Sequence, residues 1–306
     1  MLSKKKNNTS KKVAIIAPTG MLGSGVYNIL KDKYDLVLVY RDEEKIKKLD
    51  EVYDSVNIHK LIKFDLREVY KDYLSGFGDK TNSSKLQKLF KEIGEIDTLI
   101  NCAGIINVYA AKDPAFTFFL NGAFPHLLSE NYNNKLIQIT TDCAFNGIEG
   151  YPYDENTLKS PSDIYGLSKI LGEPKDKSLV LRTSIIGPEI AGHVSLLDWF
   201  RQQEGKTVNG FANHFWNGIT TKQFGKICDE IMTNPEKYPQ IGLYHIFSTI
   251  VSKYEMLLKF KEKYKIDCQI KKDEKQELNR TLSTIYDFNE KLNIPSFDEM
   301  LKELSQ

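Results

Sequence analysis

Strongly apolar stretches alternate with amphipathic stretches along much of the chain, and this alternation restricts the fold more than any other feature. Residues 11–41 read KKVAIIAPTGMLGSGVYNILKDKYDLVLVYR. VAIIA and DLVLVYR are continuous apolar runs, as expected for strands that are covered on both faces. Between them, MLGSGVYNILKDK has apolar residues at helical spacing. The segment predicts a strand–helix–strand unit, which is the building block of a parallel sheet.

The same alternation continues as far as residue 187. Four further strands are predicted, from the sequences NIHKLIKFDLRE, IDTLINCAGII, NKLIQITTDCAF and KSLVLRTSII. Helices are predicted from KLQKLFKEIGE, from PAFTFFLNGAFPHLLSE and from the segment after SPSD, whose Ser and Asp residues are favourable helix caps. SGFGDKTNSS reads as an exposed loop. The order of these elements predicts a doubly wound, Rossmann-type α/β fold with a parallel sheet.

A short tail and two domains follow from this pattern. Residues 1–11 are predicted to be a disordered basic tail, because the apolar run after them is too short for a signal peptide. Residues 12–187 are predicted to form a NAD(P)-binding Rossmann domain, which a late strand near residues 242–248 joins. Residues 188–306 are expected to form most of a smaller, mainly helical substrate domain, over the sheet edge where ligands bind.

Composition excludes several classes of partner. The formal net charge is +1, so the chain has no bulk attraction to nucleic acid or to a membrane surface. No apolar stretch approaches the roughly 18 residues that a membrane-spanning helix needs. The four cysteines form no CxxC pair and no zinc-ligand spacing. We therefore expect a cytoplasmic protein with reduced thiols and no metal site.

A glycine turn follows the first strand. In APTGMLG, Gly20 and Gly23 stand where a glycine lets the backbone approach a pyrophosphate at the start of a helix. Ala17 replaces the first glycine of the usual fingerprint, and Pro18 removes a backbone donor. A tight structural turn is the alternative interpretation, but the position between a strand and a helix favours dinucleotide binding. The predicted cofactor contacts are Thr19, Gly20, Met21, Leu22 and Gly23.

Residues after three other strands complete the predicted cofactor site. At the end of the second strand, Arg41 suits the 2′-phosphate of NADPH, whereas Asp42 leaves NADH as the alternative. Both residues are also explained by a surface turn. Asp65 and Leu66 follow the third strand, where Asp65 either meets the adenine or caps the next helix. NCAG follows the fourth strand, and its small residues predict cofactor contacts at Cys102, Ala103 and Gly104.

Tyr165 and Lys169 lie four residues apart in SPSDIYGLSKILGE. On a helix this spacing places both side chains on one face, and an ammonium beside a phenol lowers the pKa of the phenol. An ordinary solvated helix face is the alternative. Thr141 ends the fifth strand in ITTDCAF, at the sheet edge that faces ligands. A threonine there and a tyrosine on the next helix can converge on one substrate oxygen.

With these motifs the chain resembles an extended short-chain dehydrogenase/reductase and, within that family, the dTDP-4-dehydrorhamnose reductase group. APTGMLG matches the glycine turn of that group apart from Ala17, and NCAG matches its fourth-strand motif. TTDCAFNG resembles STDYVFDG, YGLSKILGE matches YGxSKxxGE, and LRTSIIG resembles LRTSWxYG. The resemblance extends over nearly the whole chain from residue 12 and is strongest up to Gly187.

The resemblance implies a role for each matching residue. Tyr165 is expected to protonate the substrate carbonyl oxygen as hydride arrives, and Thr141 to donate a hydrogen bond to the same oxygen. Lys169 is expected to lower the pKa of the tyrosine and to hold the nicotinamide ribose. Asp142 fits the reductase pattern, because related dehydratases carry Asp-Glu after the threonine and here Cys143 follows Asp142.

The substrate-binding predictions are less specific. Arg182 is expected to pair with the substrate diphosphate, because the planar guanidinium suits phosphate oxygens, and Arg280 is a second candidate. Trp216 is expected to stack on the nucleotide base, although a core position is the more frequent role of such an aromatic residue. Asn217 is expected to reach sugar or phosphate oxygens.

These observations predict an NAD(P)H-dependent reductase of the C4 keto group of a nucleotide-linked 4-keto-6-deoxy sugar, in deoxysugar and polysaccharide biosynthesis. NADPH is the expected cofactor and the nucleotide sugar the expected partner, and a homodimer stays open. One alternative is a sugar-nucleotide epimerase, which uses the nicotinamide only transiently. The other is a non-catalytic NADP-binding regulatory subunit of the same fold.

Overall fold

The computed structural model describes residues 11–75, 84–192 and 194–304. The predicted disordered tail, up to residue 10, and residues 76–83 of the predicted loop lie outside these ranges. The strands are β1 (Lys12–Ile16), β2 (Asp35–Tyr40), β3 (Lys60–Lys63), β4 (Thr98–Asn101), β5 (Leu136–Thr141), β6 (Leu179–Thr183), β7 (Ile185–Ile186), β8 (Thr207–Phe211), β9 (His214–Trp216), β10 (Ile219–Thr220), β11 (Gly242–His245), β12 (Val251–Ser252), β13 (Gln269–Asp273) and β14 (Leu278–Asn279).

Helices occur between most of these strands. They are α1 (Met21–Leu30), α2 (Glu43–Tyr53), α3 (Leu66–Ser75), α4 (Ser84–Ile93), α5 (Asn107–Ala110), α6 (Pro114–Thr117), α7 (Phe124–Asn131), α8 (Ile164–Leu171), α9 (Leu196–Arg201), α10 (Thr221–Thr233), α11 (Lys253–Tyr264), α12 (Phe288–Lys291) and α13 (Phe297–Glu303). None of the helices in the described ranges is long and apolar enough to cross a membrane.

A seven-stranded parallel sheet forms the centre of the molecule, in the order β11-β6-β5-β4-β1-β2-β3. This confirms the predicted doubly wound fold and the late strand, because β11 pairs in parallel with β6. The strand order reverses between β1 and β4, which pair directly. In such sheets the ligand crevice lies outside the carboxyl ends of the strands at this reversal. The predicted domain boundary at residue 187 stays a prediction.

The sheet is apolar on both faces, as the continuous apolar strand sequences predict. Within β1, Val13 and Ile15 belong to the core cluster on one face, where α1 and α10 pack. Ala14 and Ile16 belong to the cluster on the other face, with residues of α4 and α7. Burial on both sides fixes the register of the sheet, and therefore the positions of the loops at its carboxyl edge.

The C-terminal part also contains short strands that the sequence did not predict. β12, β9 and β14 form a three-stranded sheet in that order, in which β12 is antiparallel and β14 parallel to the central β9. A further core cluster lies beside it and includes Trp216, Phe260 and Phe297. This small sheet brings together chain segments that are far apart in the sequence.

Candidate active site

The first helix begins at the glycine turn and leaves its amino end free for a ligand. Gly20 is the N-cap of α1, and no side chain caps this helix end. The first backbone N–H groups of a helix have no partner within the helix and attract anions. A Cβ at Gly23 would lie 2.1 Å from the carbonyl oxygen of Ala17, so the close approach of helix and turn requires glycine there.

Ala17 has a backbone conformation that favours glycine. Its φ is 59°, in the left-handed region, which costs a non-glycine residue about 1–2 kcal/mol. Its N–H donates to the carbonyl of Val39 at 2.9 Å, and its carbonyl accepts from the N–H of Gly20 at 3.2 Å. The turn therefore keeps the shape of the usual fingerprint although its first glycine is replaced.

After β2 and β3, two aspartates cap the helices that follow, and Arg41 forms no ion pair with a described residue. Asp42 caps α2, because its carboxylate accepts from the N–H groups of Glu44 at 2.9 Å and of Lys45 at 3.2 Å. Arg41 is exposed and has no ion pair with any described residue. Asp65 accepts from the N–H of Arg67 at 3.0 Å at the start of α3, which agrees with the capping alternative for this residue. Leu66 is the first residue of α3.

Hydrogen bonds of the Asn121 side chain fix the position of the segment after β4. This residue was not predicted from the sequence. Its side chain accepts from the N–H of Ile105 at 2.8 Å and donates to Ile105 carbonyl at 2.9 Å and to Ser168 at 3.0 Å. Asn121 lies in a π-helical turn between α6 and α7, a feature frequent at functional sites. Its position as a polar residue within the apolar helix sequence PAFTFFLNGAFPHLLSE could have identified Asn121 as a functional candidate.

Cys102, Ala103 and Gly104 therefore form a fixed segment at the carboxyl edge of the sheet. The Cys102 N–H donates to the carbonyl of Ile16 at 3.1 Å, and burial raises the pKa of its thiol to about 12. Gly104 is exposed, and a Cβ there would lie 4.0 Å from Nζ of Lys169. These three residues lie beside the predicted catalytic lysine, and their contact with a cofactor stays a prediction.

The helix that carries Tyr165 and Lys169 starts at a side-chain cap. The carboxylate of Asp163 accepts from the N–H of Gly166 at 2.7 Å, as the SPSD sequence predicts. A Cβ at Gly166 would lie 2.2 Å from the carbonyl oxygen of Cys143, so α8 packs directly against the turn that follows β5. This contact brings Tyr165 next to Thr141.

Tyr165 has a raised pKa, which differs from the sequence expectation. Burial is the main cause, the neighbouring Cys143 thiol raises the pKa further, and a side-chain hydrogen bond with Thr141 lowers it. The expected lowering by Lys169 is absent because its ammonium group is directed elsewhere. The phenol consequently keeps its proton through the neutral pH range, which suits a proton donor.

Lys169 is buried, with 6% of its surface exposed. Its Nζ donates to the carbonyl of Ile139 in β5 at 2.8 Å. Burial lowers the pKa of the ammonium group to about 8, and the nearby Glu173 opposes this shift. One of three ammonium protons is used by Ile139, so donors remain for a ligand at the carboxyl edge.

The hydroxyl of Thr141 is oriented by its neighbours. It donates to the carboxylate of Asp142 at 3.2 Å and accepts from the N–H of Cys143 at 3.2 Å. Asp142 is buried, and this burial raises the pKa of its carboxyl group, while Arg280 and Lys253 lower it. Thr141, Tyr165 and Lys169 thus meet at the carboxyl ends of β4 and β5, close to Gly104.

Comparison of the sequence with known families gives a match over most of the chain. The family described as RmlD substrate binding domain matches residues 11–283. The chain belongs to this family. A curated relative, the spore coat polysaccharide biosynthesis protein SpsK of Bacillus subtilis (strain 168), is 26% identical over 172 residues. The match covers 52% of this chain and 58% of that protein, so it spans little more than half of the relative's length.

Solved structures share the fold of this RmlD-family chain at lower identity. The dTDP-4-dehydrorhamnose reductase from Bacillus anthracis str. Ames, in complex with NADP, has a TM-score of 0.70 and 19% identity over 97% of this chain and 99% of that chain. The UDP-N-acetylglucosamine 4-epimerase from Methanobrevibacter ruminantium M1, in complex with UDP-N-acetylmuramic acid, has a TM-score of 0.69 and 14% identity over 96% of each chain. At such identities the likeness concerns the fold alone.

The prediction that Arg182 binds a diphosphate is wrong for this RmlD-family chain. Its side chain is fully buried, and Nη2 donates to both carboxylate oxygens of Glu173 at 2.9 Å. Nη1 contacts Nε2 of His245 at 2.8 Å. Glu173 also accepts from Lys159 at 2.7 Å and Thr140 at 3.0 Å. Arg182 is part of a buried polar network beneath α8 and has no exposed surface for a ligand.

Two further substrate-side predictions need the same correction. Trp216 is 3% exposed, and its ring packs edge-on against Phe297 at a centroid distance of 5.7 Å, so it is a core residue and does not stack on a base. Asn217 is also buried. Its side chain donates to the carbonyl of Leu282 at 2.8 Å and accepts from the N–H of the same residue at 3.0 Å. Both side chains position the small C-terminal sheet.

Two cationic side chains, Arg280 and Lys253, lie close to Asp142. Arg280, the second candidate of the sequence analysis, and Lys253, which that analysis missed, both lower the pKa of the Asp142 carboxyl group. The sequence carried no signal for Lys253, because it is one of many lysines in a charged helix. In the described ranges, no group of His, Cys, Asp or Glu side chains is arranged to hold a metal ion.

Proposed function

We propose that this protein reduces the C4 keto group of a nucleotide-linked 4-keto-6-deoxy sugar with NADPH, in deoxysugar or polysaccharide biosynthesis. The observation that carries the proposal is the meeting of Thr141, Tyr165 and Lys169 at the carboxyl edge of the sheet in a member of the RmlD family. The dTDP-4-dehydrorhamnose reductase from Bacillus anthracis, which has the same fold, is described in complex with NADP.

The residues at the reversal of the strand order fit a dinucleotide. The N–H groups in the first turn of α1, at Met21, Leu22 and Gly23, would hold the pyrophosphate, and Thr19 and Gly20 would contact it from the turn before the helix. Arg41 supports NADPH over NADH, because it is exposed and unpaired among the described residues, while the competing Asp42 is used as a helix cap. Lys169 would hold the ribose hydroxyls beside Gly104.

The chemistry of this chain's own side chains is proton delivery and charge stabilisation. When bound, the reduced nicotinamide supplies the hydride that adds to C4. Tyr165 gives its phenolic proton to the O4 oxygen, which changes from a carbonyl to a hydroxyl. In the substrate complex the hydroxyl of Thr141 would turn from Asp142 and donate its proton to the same oxygen, and the Lys169 ammonium would stabilise the phenolate that remains once it turns from Ile139 towards Tyr165. Because an alkoxide is a stronger base than a phenolate, a tyrosine with a raised pKa is still an effective donor.

A conservative substitution of the proposed proton donor tests this function. In Tyr165→Phe the proton is missing, and we expect NADPH oxidation with a 4-keto-6-deoxy sugar nucleotide to fall by roughly 10²–10⁴-fold, with NADPH binding retained. Tyr238→Phe is a matched control, because Tyr238 follows α10 near Pro235 and Gln240, which border the amino ends of the strands. Equal activity of Tyr165→Phe and the wild type would contradict the proposal.

An epimerase is the second candidate function, because the Methanobrevibacter ruminantium 4-epimerase shares the fold. An epimerase keeps NAD⁺ bound and consumes none, so purified protein with a full complement of tightly bound NAD⁺ and no NADPH oxidation would favour it. A non-catalytic regulatory subunit would bind NADPH, and Tyr165→Phe would leave its binding to a partner protein unchanged.

The homodimer stays a prediction. A measurement of the molecular mass in solution tests it.

A further inference from the structure

The small C-terminal sheet brings two cations close to Asp142. Lys253 directly follows β12, and Arg280 directly follows β14. Both strands pair with β9, through Ser252 with Phe215 and through Asn279 with Phe215. Lys253 and Arg280 each lower the pKa of the Asp142 carboxyl group. Two cations from distant parts of the sequence therefore meet beside the end of β5.

Arg280 has only weak, uncharged partners. Nη1 donates to the Sγ atom of Cys143 at 3.4 Å, and Nη2 donates to the hydroxyl of Ser162 at 3.1 Å. Its Nε is buried and has no hydrogen-bond partner among the described residues. A guanidinium group with five donors is normally satisfied by carboxylate or phosphate oxygens. The guanidinium donors of Arg280 are therefore held next to Thr141 and Tyr165 by a thiol and a hydroxyl, and none of its hydrogen bonds in the described ranges goes to a carboxylate.

Lys253 gains little structural stabilisation from its position. It is the first residue of α11, where the positive end of the helix dipole disfavours a cation. Its Nζ lies 5.4 Å from the centre of the Trp216 ring, and it forms no ion pair within the part of the chain that the structure describes. Burial lowers the pKa of the ammonium group to about 8, against the attraction of Asp142. A residue that conflicts with its local surroundings is expected where function requires it.

The local charges therefore favour an anionic ligand. Asp142 is the carboxylate on which both cations act, and it also accepts a hydrogen bond from Thr141. His214 lies close enough for both cations to lower its pKa, and its buried Nε2 has no hydrogen-bond partner among the described residues. Asp273 also acts on His214, but among Lys253, Arg280 and Asp142 themselves one positive charge is in excess. Because these three side chains are buried or partly buried, this excess attracts an anion more strongly than it would in water.

We infer that Lys253 and Arg280 form the site for the diphosphate of the sugar nucleotide. The inference rests on the proposed function and assigns the substrate's charged group to residues of the small C-terminal sheet. A pyranose ring separates the C4 carbon from the anomeric oxygen that carries the diphosphate. With C4 at Thr141 and Tyr165, the ring extends past Asp142 towards the two cations. Asp142, repelled by phosphates, faces the sugar hydroxyls.

Calorimetric titration with dTDP and with UDP, in the presence of NADP⁺, tests the inference without turnover. The variants are Lys253→Met, Arg280→Gln and Arg280→Lys. We expect Kd for the nucleoside diphosphate to rise about 10- to 100-fold in Lys253→Met and in Arg280→Gln, because each loses a charged hydrogen-bond donor to phosphate. Arg280→Lys keeps the charge and should bind more tightly than Arg280→Gln. Kd for NADP⁺ should stay unchanged in all three.

Two controls separate a binding role from a structural role. Lys259→Gln removes a positive charge from the same helix, at a lysine that pairs with Asp298 at 2.7 Å, and it should leave Kd for the nucleoside diphosphates unchanged. The melting temperature of Lys253→Met should equal or exceed that of the wild type, since a desolvated and unpaired cation is removed. A lower melting temperature together with unchanged Kd would assign Lys253 a structural role and overturn the inference.

The outcomes distinguish this inference from the proposed function. Wild-type protein that binds dTDP or UDP, with variants that bind as tightly, would overturn the diphosphate site and leave the reductase intact. Wild-type protein that binds neither dTDP nor UDP is titrated with GDP and CDP, and binding of NADPH but of none of the four nucleoside diphosphates would contradict both. A parallel rise in Kd for NADP⁺ would assign the two cations to the cofactor pyrophosphate, which also overturns the inference.

Discussion

Glu173 and Arg182 form a buried ion pair beneath α8, the helix that carries Tyr165 and Lys169. Nη2 of Arg182 lies 2.9 Å from each carboxylate oxygen, and the two side chains are 3% and 0% exposed. Glu173 follows the end of α8, whereas Arg182 lies in β6, so the pair fixes the helix to the sheet. Glu173 is also the nearby charge that raises the pKa of Lys169 against the effect of burial.

Removal of the negative charge from this pair should destabilise the fold. In Glu173→Gln, Arg182 and Lys159 lose their carboxylate partner, and we expect the free energy of unfolding to fall by about 3–5 kcal/mol. The surface pair of Glu130 with Lys177 provides a control, and Glu130→Gln should cost no more than about 1 kcal/mol. Chemical denaturation measures both. A similar small loss in the two variants would show that the buried pair does not hold α8 in place.

The network also predicts how stability depends on pH. Burial and the adjacent Arg182 lower the pKa of His245 from 6.5 to about 4. Nε2 accepts from Arg182, and the Nδ1 proton is donated to the carbonyl of Ser283 at 2.9 Å. As the pH falls from 6.5 towards 4, His245 becomes protonated in the unfolded chain but stays neutral in the folded chain. The free energy of unfolding should therefore fall by about 3 kcal/mol over this range.

Denaturation at several pH values, with the wild type and His245→Asn, measures this contribution. The variant should have a lower stability near neutral pH, because it loses the hydrogen bond to Arg182, but a flatter dependence below pH 6.5. Parallel curves for the two proteins between pH 6.5 and 4 would show that His245 is already charged in the folded state.

We expect the pKa of Lys169 to determine the pH at which activity falls on the alkaline side. Burial lowers the pKa of its ammonium group to about 8, so the group loses its charge as the pH rises through this value. We expect kcat/KM for NADPH to fall on the alkaline side with an apparent pKa near 8, because kcat/KM reports groups of the free enzyme. In Lys169→Arg, which keeps its charge, this limb should move beyond the measurable range. If kcat/KM fell at the same alkaline pH in both proteins, the decrease would be caused by the titration of another group.

Ala17 predicts a stabilising substitution in the cofactor turn. Its φ of 59° favours glycine, so Ala17→Gly removes backbone strain and should raise the free energy of unfolding by roughly 0.5–1 kcal/mol, after the entropy of the unfolded chain is included. Ala14→Gly, in the buried strand β1, should have the opposite sign. Thermal unfolding measures both. Destabilisation by Ala17→Gly would show that the turn tolerates the alanine without strain.

The central sheet and the meeting of Thr141, Tyr165 and Lys169 were predictable because their signals are local, whereas the catalytic roles of these residues stay predictions. Each parallel strand is a continuous apolar run, and the spacing of Tyr165 and Lys169 fixes their common helix face once α8 is identified. Thr141 follows from the rule that ligands lie at the carboxyl ends of the strands. These inferences require only short stretches of sequence and the handedness of parallel folds.

The substrate side was harder to predict because it depends on contacts between distant segments. Arg182 lies within an apolar strand that is covered on both faces, and a charge in that position needs a buried partner, which Glu173 supplies. Lys253 and Arg280 meet only because two very short strands pair with β9. Strands of two or three residues have no periodicity that sequence analysis can detect.

The most direct test of the reductase is the destination of the cofactor hydride. The protein is incubated with NADPH that carries deuterium at both C4 positions of the nicotinamide, and with dTDP-, UDP-, GDP- and CDP-linked 4-keto-6-deoxyhexoses. We expect one of these sugars to gain a single deuterium, detected by mass spectrometry, with one NADP⁺ formed per sugar reduced. A sugar that changes configuration without deuterium or net NADP⁺, or no reaction with bound NADPH, would contradict it.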